Sequence, residues 1–182
     1  MAMRPIYLIG YMGSGKSTLG RALAARCDIR FVDMDDYIEA RAGKSIREIF
    51  ASEGEAAFRE MERDTLNELS AMSNAVIACG GGTPCFGDNM EVMNRNGVTV
   101  HLSTSHGRLL ERLKEGRAKR PLIAGLNDEE LDRFIAEQLA KRMPHYSKAA
   151  FTFDSTRLEN EEQIEETCGA FIAQFELPLK NV

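Results

Sequence analysis

Residues 10–17, GYMGSGKS, constrain the fold of this chain more than any other segment. They match the pattern G-x-x-x-x-G-K-[ST], in which the glycines let backbone N–H groups wrap around phosphate oxygens. The short apolar run from Ile6 to Ile9 precedes the motif, and leucines and alanines at helical spacing follow it. This order of strand, loop and helix predicts an α/β sheet with a nucleotide-phosphate site at a helix N-terminus.

The motif also predicts which side chains contact a nucleoside triphosphate. Lys16 is expected to bridge the β- and γ-phosphates, and the Ser17 hydroxyl is expected to ligate a magnesium ion. A second GKS at residues 43–45 has Ile38 where the first glycine is required, so we interpret it as a turn entering a helix. The other predicted ATP contacts in the loop are Gly13, Ser14, Gly15 and Thr18.

Strands alternate with helices along the rest of the chain. Four further apolar runs read as strands: Phe31-Val32, Ala75 to Cys79, Val98 to Leu102 and Ala150 to Asp154. The alternation predicts a three-layer α/β/α fold, in which helices cover both faces of a five-stranded parallel sheet. The length of 182 residues favours a single domain spanning residues 1–182.

The helix boundaries follow from caps and periodicity. Two helices are predicted after the second strand, a short one with the capping box Ser45 and Glu48 and a long one from Gly54 to about Met72. Ser105 is expected to cap the helix after the fourth strand. Two more helices are predicted at residues 128–146, with Pro144 as an interruption, and at residues 159–175.

Composition excludes several classes of function. A net charge of −5 argues against nucleic acid as a partner, and no apolar run approaches the roughly 20 residues of a membrane span. The N-terminal apolar stretch is too short for a signal peptide, and the four cysteines form no C-x-x-C pair. We therefore expect a cytoplasmic protein with reduced thiols that binds no membrane, and we take a monomer as the default.

Two carboxylates stand at the end of the second predicted strand. Asp33 and Asp35 alternate there, so one extended segment would offer both acids close to the P-loop. One acid can hold magnesium or its water shell, while the other takes or orients an acceptor hydroxyl for attack on the γ-phosphate. Acids at a helix N-terminus are also favoured by electrostatics alone, which is the explanation we prefer for Asp36.

Taken in order and spacing, the motifs resemble those of the shikimate kinases, within the nucleoside-monophosphate-kinase-like P-loop fold. The resemblance covers nearly the whole chain. It implies ATP as co-substrate, Mg²⁺ as cofactor and shikimate as the acceptor of a phosphoryl group at its 3-hydroxyl. The motifs that carry it are GYMGSGKS, Asp33-Met34-Asp35, the FRxxE of Phe58, Arg59 and Glu62, the glycines 80–82, the RPL of residues 120–122, and Arg142 with Tyr146.

The resemblance implies a substrate-binding segment at about residues 33–62, and further acceptor contacts from later parts of the chain. Arg59 and Arg142 would clamp the acceptor carboxylate through bidentate hydrogen bonds. A helix-surface ion pair, such as Arg59 with Glu62 at i+3, is the alternative for such arginines. Gly80, Gly81 and Gly82 would let backbone approach the ligand, with Gly81 as the foremost substrate contact, and Phe50 and Phe58 would line the apolar face of its ring.

The basic run RLKEGRAKR at residues 112–120 reads as solvated surface when considered alone. The resemblance places it in a lid at about residues 112–126. Arg120 then resembles an arginine that closes onto the transferring phosphoryl group, and Arg117 resembles a position near adenine, with solvated surface still open for it. Arg157 is a further candidate to stack on adenine. Cys85 has no functional interpretation.

Phosphoryl transfer from ATP to shikimate is thus the leading hypothesis, with Lys16, Asp35 and Arg120 as the catalytic residues and Ser17 and Asp33 as the metal ligands. Another small-metabolite kinase of the same fold, acting on gluconate or a nucleotide, is the alternative. An ATP-binding module without catalysis is a third reading, which the intact set of Lys16, Ser17, Asp33 and Asp35 disfavours.

Overall fold

Five parallel strands form one sheet in the computed structural model, which describes residues 3–120 and 122–179. The strands run in the order β2-β3-β1-β4-β5, so the strand that leads into the P-loop is central. In the register, Leu8 of β1 lies beside Ala78 of β3 and Val100 of β4. The strands are β1 Ile6–Ile9, β2 Arg30–Asp33, β3 Ala75–Ala78, β4 Val98–Ser103 and β5 Phe151–Asp154.

Eight α-helices surround this sheet in the part of the chain described. Alternate residues of each inner strand face opposite sides, and two clusters of buried apolar side chains result. One cluster joins Leu8 of β1 to helices α1 and α8, and the other joins Ile9 to helices α2 to α7. The helices are α1 Lys16–Cys27, α2 Met34–Ala42, α3 Ile46–Ser52, α4 Gly54–Leu69, α5 Asn89–Asn96, α6 His106–Glu115, α7 Asp128–Tyr146 and α8 Glu161–Phe175. The predicted three-layer α/β/α fold with a parallel sheet is confirmed.

The region after β2 differs from the prediction. Three helices follow this strand instead of two, because α2 begins at Met34, directly after the last strand residue. Asp33 therefore caps a helix, and Asp35 lies in the first helical turn and not on an extended segment. The interpretation of Asp36 as an acid at a helix N-terminus agrees with its place in the same turn. Gly43 ends α2 in a left-handed conformation, and Ser45 forms the predicted capping box with Glu48.

Three other local expectations need correction. Helix α5, between β3 and β4, had no predicted counterpart, since its sequence NMEVMNRN is short and polar. Ser105 occupies the N-cap position of α6 without a capping hydrogen bond from its side chain. Pro144 does not interrupt α7, which continues to Tyr146. None of the helices in the described ranges has the length and apolar character needed to span a bilayer.

Candidate active site

The P-loop connects β1 to α1 through three glycines with positive φ. Gly10, Gly13 and Gly15 have φ values of 146°, 81° and 87°, a region in which other residues are strained. The loop turns tightly, with the Ser14 N–H donating to the Tyr11 carbonyl at 3.1 Å. This arrangement directs the loop toward the N-terminus of α1, where anions bind favourably.

Lys16 begins α1 and folds back over the loop. Its ammonium group donates to the Gly10 carbonyl at 2.9 Å and to the Tyr11 carbonyl at 3.0 Å. Burial of this group lowers its pKa to about 8, against the opposing attraction of Asp35. Because neutral carbonyls accept both of these hydrogen bonds, the buried cation is well placed to exchange them for phosphate oxygens.

Ser17 and Asp33 form a pair of oxygen ligands below the loop. The Ser17 hydroxyl donates to one Asp33 carboxylate oxygen at 2.6 Å, and the other oxygen accepts from the Asp35 N–H at 3.2 Å. The last residue of β2 is thus tied both to α1 and to the first turn of α2. The resulting hard oxygen donors suit Mg²⁺, which commonly uses one or two protein oxygens together with phosphates and water.

Asp35 carries the most perturbed carboxyl group near the loop. Its pKa is raised from 3.8 to about 6, mainly because it is buried, and also because Asp33 and Glu62 repel its negative charge. Lys16 opposes this shift only in part. The group is therefore mostly ionised at neutral pH, and its pKa is close enough to that pH for it to accept a proton readily. This is the behaviour expected of a general base.

The three glycines after β3 bring the predicted acceptor groups together. A Cβ atom at Gly80 would lie 2.8 Å from the Asp35 carboxylate, and one at Gly82 would lie 3.1 Å from the Arg59 guanidinium. A Cβ at Gly81 would lie 3.1 Å from the Arg142 guanidinium. Because φ is not positive at these positions, close approach of neighbouring side chains is what requires glycine here. One acid and two arginines therefore surround a single short loop.

Arg59 is held by two carboxylates of its own helix. It pairs with Glu55 at 3.1 Å and with Glu62 at 2.9 Å. The ion pair at i+3 that sequence reasoning left open is therefore present, but Glu62 is only 1% exposed and also accepts from the Thr83 hydroxyl. This contact orients the guanidinium toward the glycine loop and is not a solvated surface pair.

Arg142 has a different environment. Among the described residues no carboxylate pairs with it, and it donates a long hydrogen bond of 3.4 Å to the side-chain oxygen of Gln138. Tyr146, one turn further along α7, donates its hydroxyl to the Gly81 carbonyl at 2.7 Å. This bond fixes the helix against the loop. A half-buried arginine without a counter-ion is a favourable site for a ligand carboxylate.

Phe50 and Phe58, the two aromatic residues predicted to line the acceptor site, lie next to Arg59. The Phe50 and Phe58 rings pack with their centroids 4.7 Å apart. Phe58 is buried in the core, whereas Phe50 is 38% exposed. Only Phe50 thus offers substantial surface to a ligand.

A cavity of about 540 Å³ lies on the outer side of the P-loop. Arg120 reaches it from the lid region and makes no ion pair within the described part of the chain. Leu158 from the loop after β5 also contributes. The remaining lining residues are Gly13, Gly15, Lys16, Ser17, Thr18, Arg112, Glu115 and Glu159. This lining joins the P-loop to the basic lid, as a triphosphate site requires.

Sequence reasoning missed the role of Arg112 in this cavity. Its guanidinium donates to the Gly13 carbonyl at 2.9 Å and to the Thr156 carbonyl at 2.9 Å, and it pairs with Glu159 at 2.7 Å. The residue thereby connects the P-loop to the loop after β5. Its place in the basic run was visible, but nothing in the spacing distinguished it from neighbouring cations.

Two predicted adenine contacts do not line this cavity. Arg117 donates to the Leu126 carbonyl at 2.8 Å and pairs with Asp128, which ties the lid to the start of α7. Arg157 points away, is 63% exposed and pairs with Glu166 at 2.9 Å. Pro121 of the RPL motif lies outside the described residues.

Comparisons with known proteins agree with this geometry. A model of the family described as shikimate kinase matches residues 12–173. A shikimate kinase from Parabacteroides distasonis is 45% identical over 170 residues, covering 93% of this chain and 98% of the relative. One from Bacteroides thetaiotaomicron is 48% identical over 160 residues, covering 88% and 91%.

Solved structures give the same result. The crystal structure of shikimate kinase from Bacteroides thetaiotaomicron superposes with a TM-score of 0.93 at 45% identity, covering 97% of this chain and 100% of that one. Shikimate kinase from Acinetobacter baumannii in complex with shikimate gives a TM-score of 0.80 at 33% identity, covering 98% and 96%. The chain therefore belongs to the shikimate kinase family.

Proposed function

We propose that this chain transfers the γ-phosphate of ATP to the 3-hydroxyl of shikimate, giving shikimate 3-phosphate and ADP. The observation that carries the proposal is the convergence of Asp35, Arg142 and Arg59 on three successive glycines beside the P-loop. Shikimate is a small carbocyclic acid with three hydroxyls and one carboxylate, so its site needs a carboxylate and cations together. The Acinetobacter baumannii relative, described as a complex with shikimate, supports this acceptor.

Arg59 and Arg142 place the acceptor through its carboxylate. Of the five N–H donors of the Arg59 guanidinium, three bond Glu55 and Glu62, which leaves one donor on each terminal nitrogen. Arg142 contributes charge that no protein carboxylate neutralises among the described residues. Backbone of the loop 80–82 contacts the ring, and Phe50 covers its apolar face.

Lys16 and Arg120 stabilise the charge that develops on the transferring phosphoryl group. Both lie at the donor cavity, one from the P-loop and one from the lid. Because the transition state of phosphoryl transfer is loose, fixed cations and correct alignment contribute more than covalent chemistry. The donor contacts extend to the P-loop residues Gly13 to Thr18, whereas the positions of Arg117 and Arg157 favour structural roles for them.

Asp35 receives or orients the 3-hydroxyl proton. The carboxylate lies beside Gly80 and is coupled electrostatically to Lys16, so the acceptor oxygen and the γ-phosphate meet between them. A pKa of about 6 keeps the group ionised at neutral pH and makes it a stronger base than an ordinary aspartate.

Ser17 and Asp33 hold Mg²⁺ in the proposed complex. The described residues contain no cluster of three or more His, Cys, Asp or Glu side chains around one point, so protein groups alone do not form a metal cage. The Ser17 hydroxyl and Asp33 carboxylate fit an ion that completes its shell with phosphate oxygens and water. An ion held there would supply positive charge to the donor phosphates.

Residues 1–182 act as one kinase domain in this proposal, with a substrate-binding segment at about 33–62 and a lid at about 112–126. Closure of the lid brings Arg120 over the phosphates and excludes water, which competes with the 3-hydroxyl as acceptor. We further propose a cytoplasmic monomer that binds neither nucleic acid nor membrane. Support comes from the four free cysteines and the net charge of −5.

Gluconate and nucleotides are less suited to the site. A nucleotide acceptor requires a base-stacking pocket with several phosphate-binding arginines, whereas the acceptor loop here faces Arg59, Arg142 and the acidic Asp35. A sugar acid requires a longer polar site, whereas Phe50 brings exposed aromatic surface to this one. A non-catalytic module has no need of the raised pKa of Asp35.

ADP release with Mg²⁺ and ATP, measured separately with shikimate, gluconate and AMP, tests the acceptor. Among the three acceptors, only shikimate is expected to support turnover. Activity on gluconate or AMP without activity on shikimate would overturn the proposal. The Asp35→Asn variant should lose about 10²- to 10⁴-fold in kcat, the range of general-base catalysis. Asp36→Asn, at the adjacent exposed acid, is the matched control and should retain wild-type turnover.

A further inference from the structure

Phe86 lies directly against one of the two arginines at the glycine loop. The central carbon of the Arg59 guanidinium stands 3.7 Å from the centroid of the Phe86 ring, which is a close stacking contact. Phe86 follows the short 3-10 helix at residues 83–85 and is 36% exposed, so its ring does not belong to either core cluster. Burial therefore does not explain why a large aromatic side chain stands here.

Tyr11 makes a longer contact of the same kind with the second arginine. The Arg142 guanidinium carbon lies 5.4 Å from the centroid of the Tyr11 ring, within the range of a cation–π interaction. Tyr11 is 1% exposed, and within the described residues its hydroxyl has no hydrogen-bond partner. Burial raises the pKa of Tyr11 to about 12, so the ring is neutral and attracts Arg142 through its π face and not as a phenolate.

These two contacts can fix the orientation of the two guanidinium groups at the acceptor site. A guanidinium binds a carboxylate bidentately only when its plane is correctly oriented, because the N–H donors lie in that plane. Stacking covers one face of the plane and leaves the donors at its edge available. No carboxylate of the described residues holds Arg142, so neutral groups such as the Tyr11 ring and the Gln138 amide orient it.

We infer that Phe86 and Tyr11 are positioning residues, which hold the guanidinium planes of Arg59 and Arg142 in the orientation that the acceptor carboxylate meets. The inference rests on the proposed function. Tyr11 also belongs to the P-loop, and its carbonyl accepts from Lys16 at 3.0 Å. The arginine on α7 is thus aligned by the same loop that binds the phosphates of the donor.

Phe86 offers the sharper test because its partial exposure limits any effect on folding. Phe86→Leu removes the ring and should raise the KM for shikimate about two- to five-fold, the effect of an exposed cation–π contact. The KM for ATP and the melting temperature should stay unchanged. Phe86→Tyr keeps the ring and should restore the wild-type KM for shikimate. Phe151→Leu, at a similarly exposed phenylalanine on β5, is the matched control.

A double-mutant cycle shows whether the ring acts through Arg59. Lysine at position 59 keeps the charge but has no planar guanidinium to stack. In the Arg59→Lys background, Phe86→Leu should therefore change the shikimate KM by less than about half of its effect in the wild type. An equal effect in both backgrounds, or a parallel rise in the KM for ATP, would overturn the inference.

Tyr11 is tested by the same measurements with two variants. Tyr11→Phe keeps the ring and should leave the shikimate KM within about two-fold of wild type, whereas Tyr11→Leu should raise it about five- to thirty-fold, as for a desolvated cation–π contact. Should Tyr11→Leu fail to fold, the Phe86 cycle decides the inference. Wild-type turnover on shikimate with no shift in either leucine variant would refute the inference alone, and absence of turnover in the wild type would refute the proposed function.

Discussion

Replacing Asp35 with asparagine should make the protein more stable while it sharply lowers kcat. The folded protein raises the pKa of this carboxyl from 3.8 to about 6, so ionised Asp35 destabilises the folded state relative to the unfolded chain. Each pKa unit corresponds to about 1.4 kcal/mol, and the full shift corresponds to about 3 kcal/mol at pH 7.5. Asparagine is nearly isosteric and carries no charge, so it removes this cost.

The sign of the pH dependence follows from the same shift. A carboxyl whose pKa is raised on folding takes up its proton more readily in the folded state, so wild-type stability is gained as the pH falls from about 6 toward 3.8. The free energy of unfolding of Asp35→Asn should therefore exceed that of wild type by about 3 kcal/mol at pH 7.5 and by about 1 kcal/mol at pH 4.5.

Urea unfolding of wild type, Asp35→Asn and Asp36→Asn at both pH values measures these differences. Asp36 lies in the same helical turn, has a side chain that is 71% exposed and forms a long ion pair of 3.8 Å with Arg21. Asp36→Asn should thus change stability by less than about 0.5 kcal/mol at either pH. An Asp35→Asn variant that is less stable than wild type, or whose advantage does not depend on pH, would refute the assignment of a strained, desolvated carboxylate.

Three further changes separate the parts of the site. Arg120→Ala should lower kcat by about 10²-fold or more with a much smaller change in the shikimate KM, because a lid cation acts mainly in the transition state. A variant kcat equal to that of wild type would show that Arg120 has no part in the mechanism. Gly81→Ala should raise the shikimate KM about three- to ten-fold, because its Cβ would lie 3.1 Å from the Arg142 guanidinium and displace it; steady-state kinetics with an unchanged shikimate KM would contradict this. Ser45→Ala should cost about 1 kcal/mol in urea unfolding by removing the capping box at α3, with both KM values unchanged; a neutral result would show that the cap does not stabilise the fold.

The sequence predicted those parts of the fold that local rules determine. The P-loop motif between an apolar strand and a helix required a central parallel strand, and the capping box at Ser45 marked a true helix start. Helix α2 escaped prediction because its acids and Met34 continue directly from β2 without a turn signal. Helix α5 escaped because it has only eight residues, so the buried pair Met90 and Met93 is too short a repeat to indicate a helix.

The site was predictable as a set of residues but not as an arrangement. Motif order indicated Asp35, Arg59 and Arg142, yet the pairing of each with one glycine of the 80–82 loop depends on how α2, α4 and α7 pack. Packing also determines the surroundings of Arg117 and Arg157. The resemblance indicated Arg117 as an adenine contact and Arg157 was a candidate to stack on adenine, and their side chains pair with Asp128 and Glu166.

A crystal structure of this protein with ADP and shikimate tests the central claim most directly. We expect the shikimate carboxylate to lie between Arg59 and Arg142, with the 3-hydroxyl within hydrogen-bond distance of Asp35 and directed toward the P-loop. Shikimate bound away from the glycine loop 80–82, or oriented with its carboxylate at Asp35, would contradict the account.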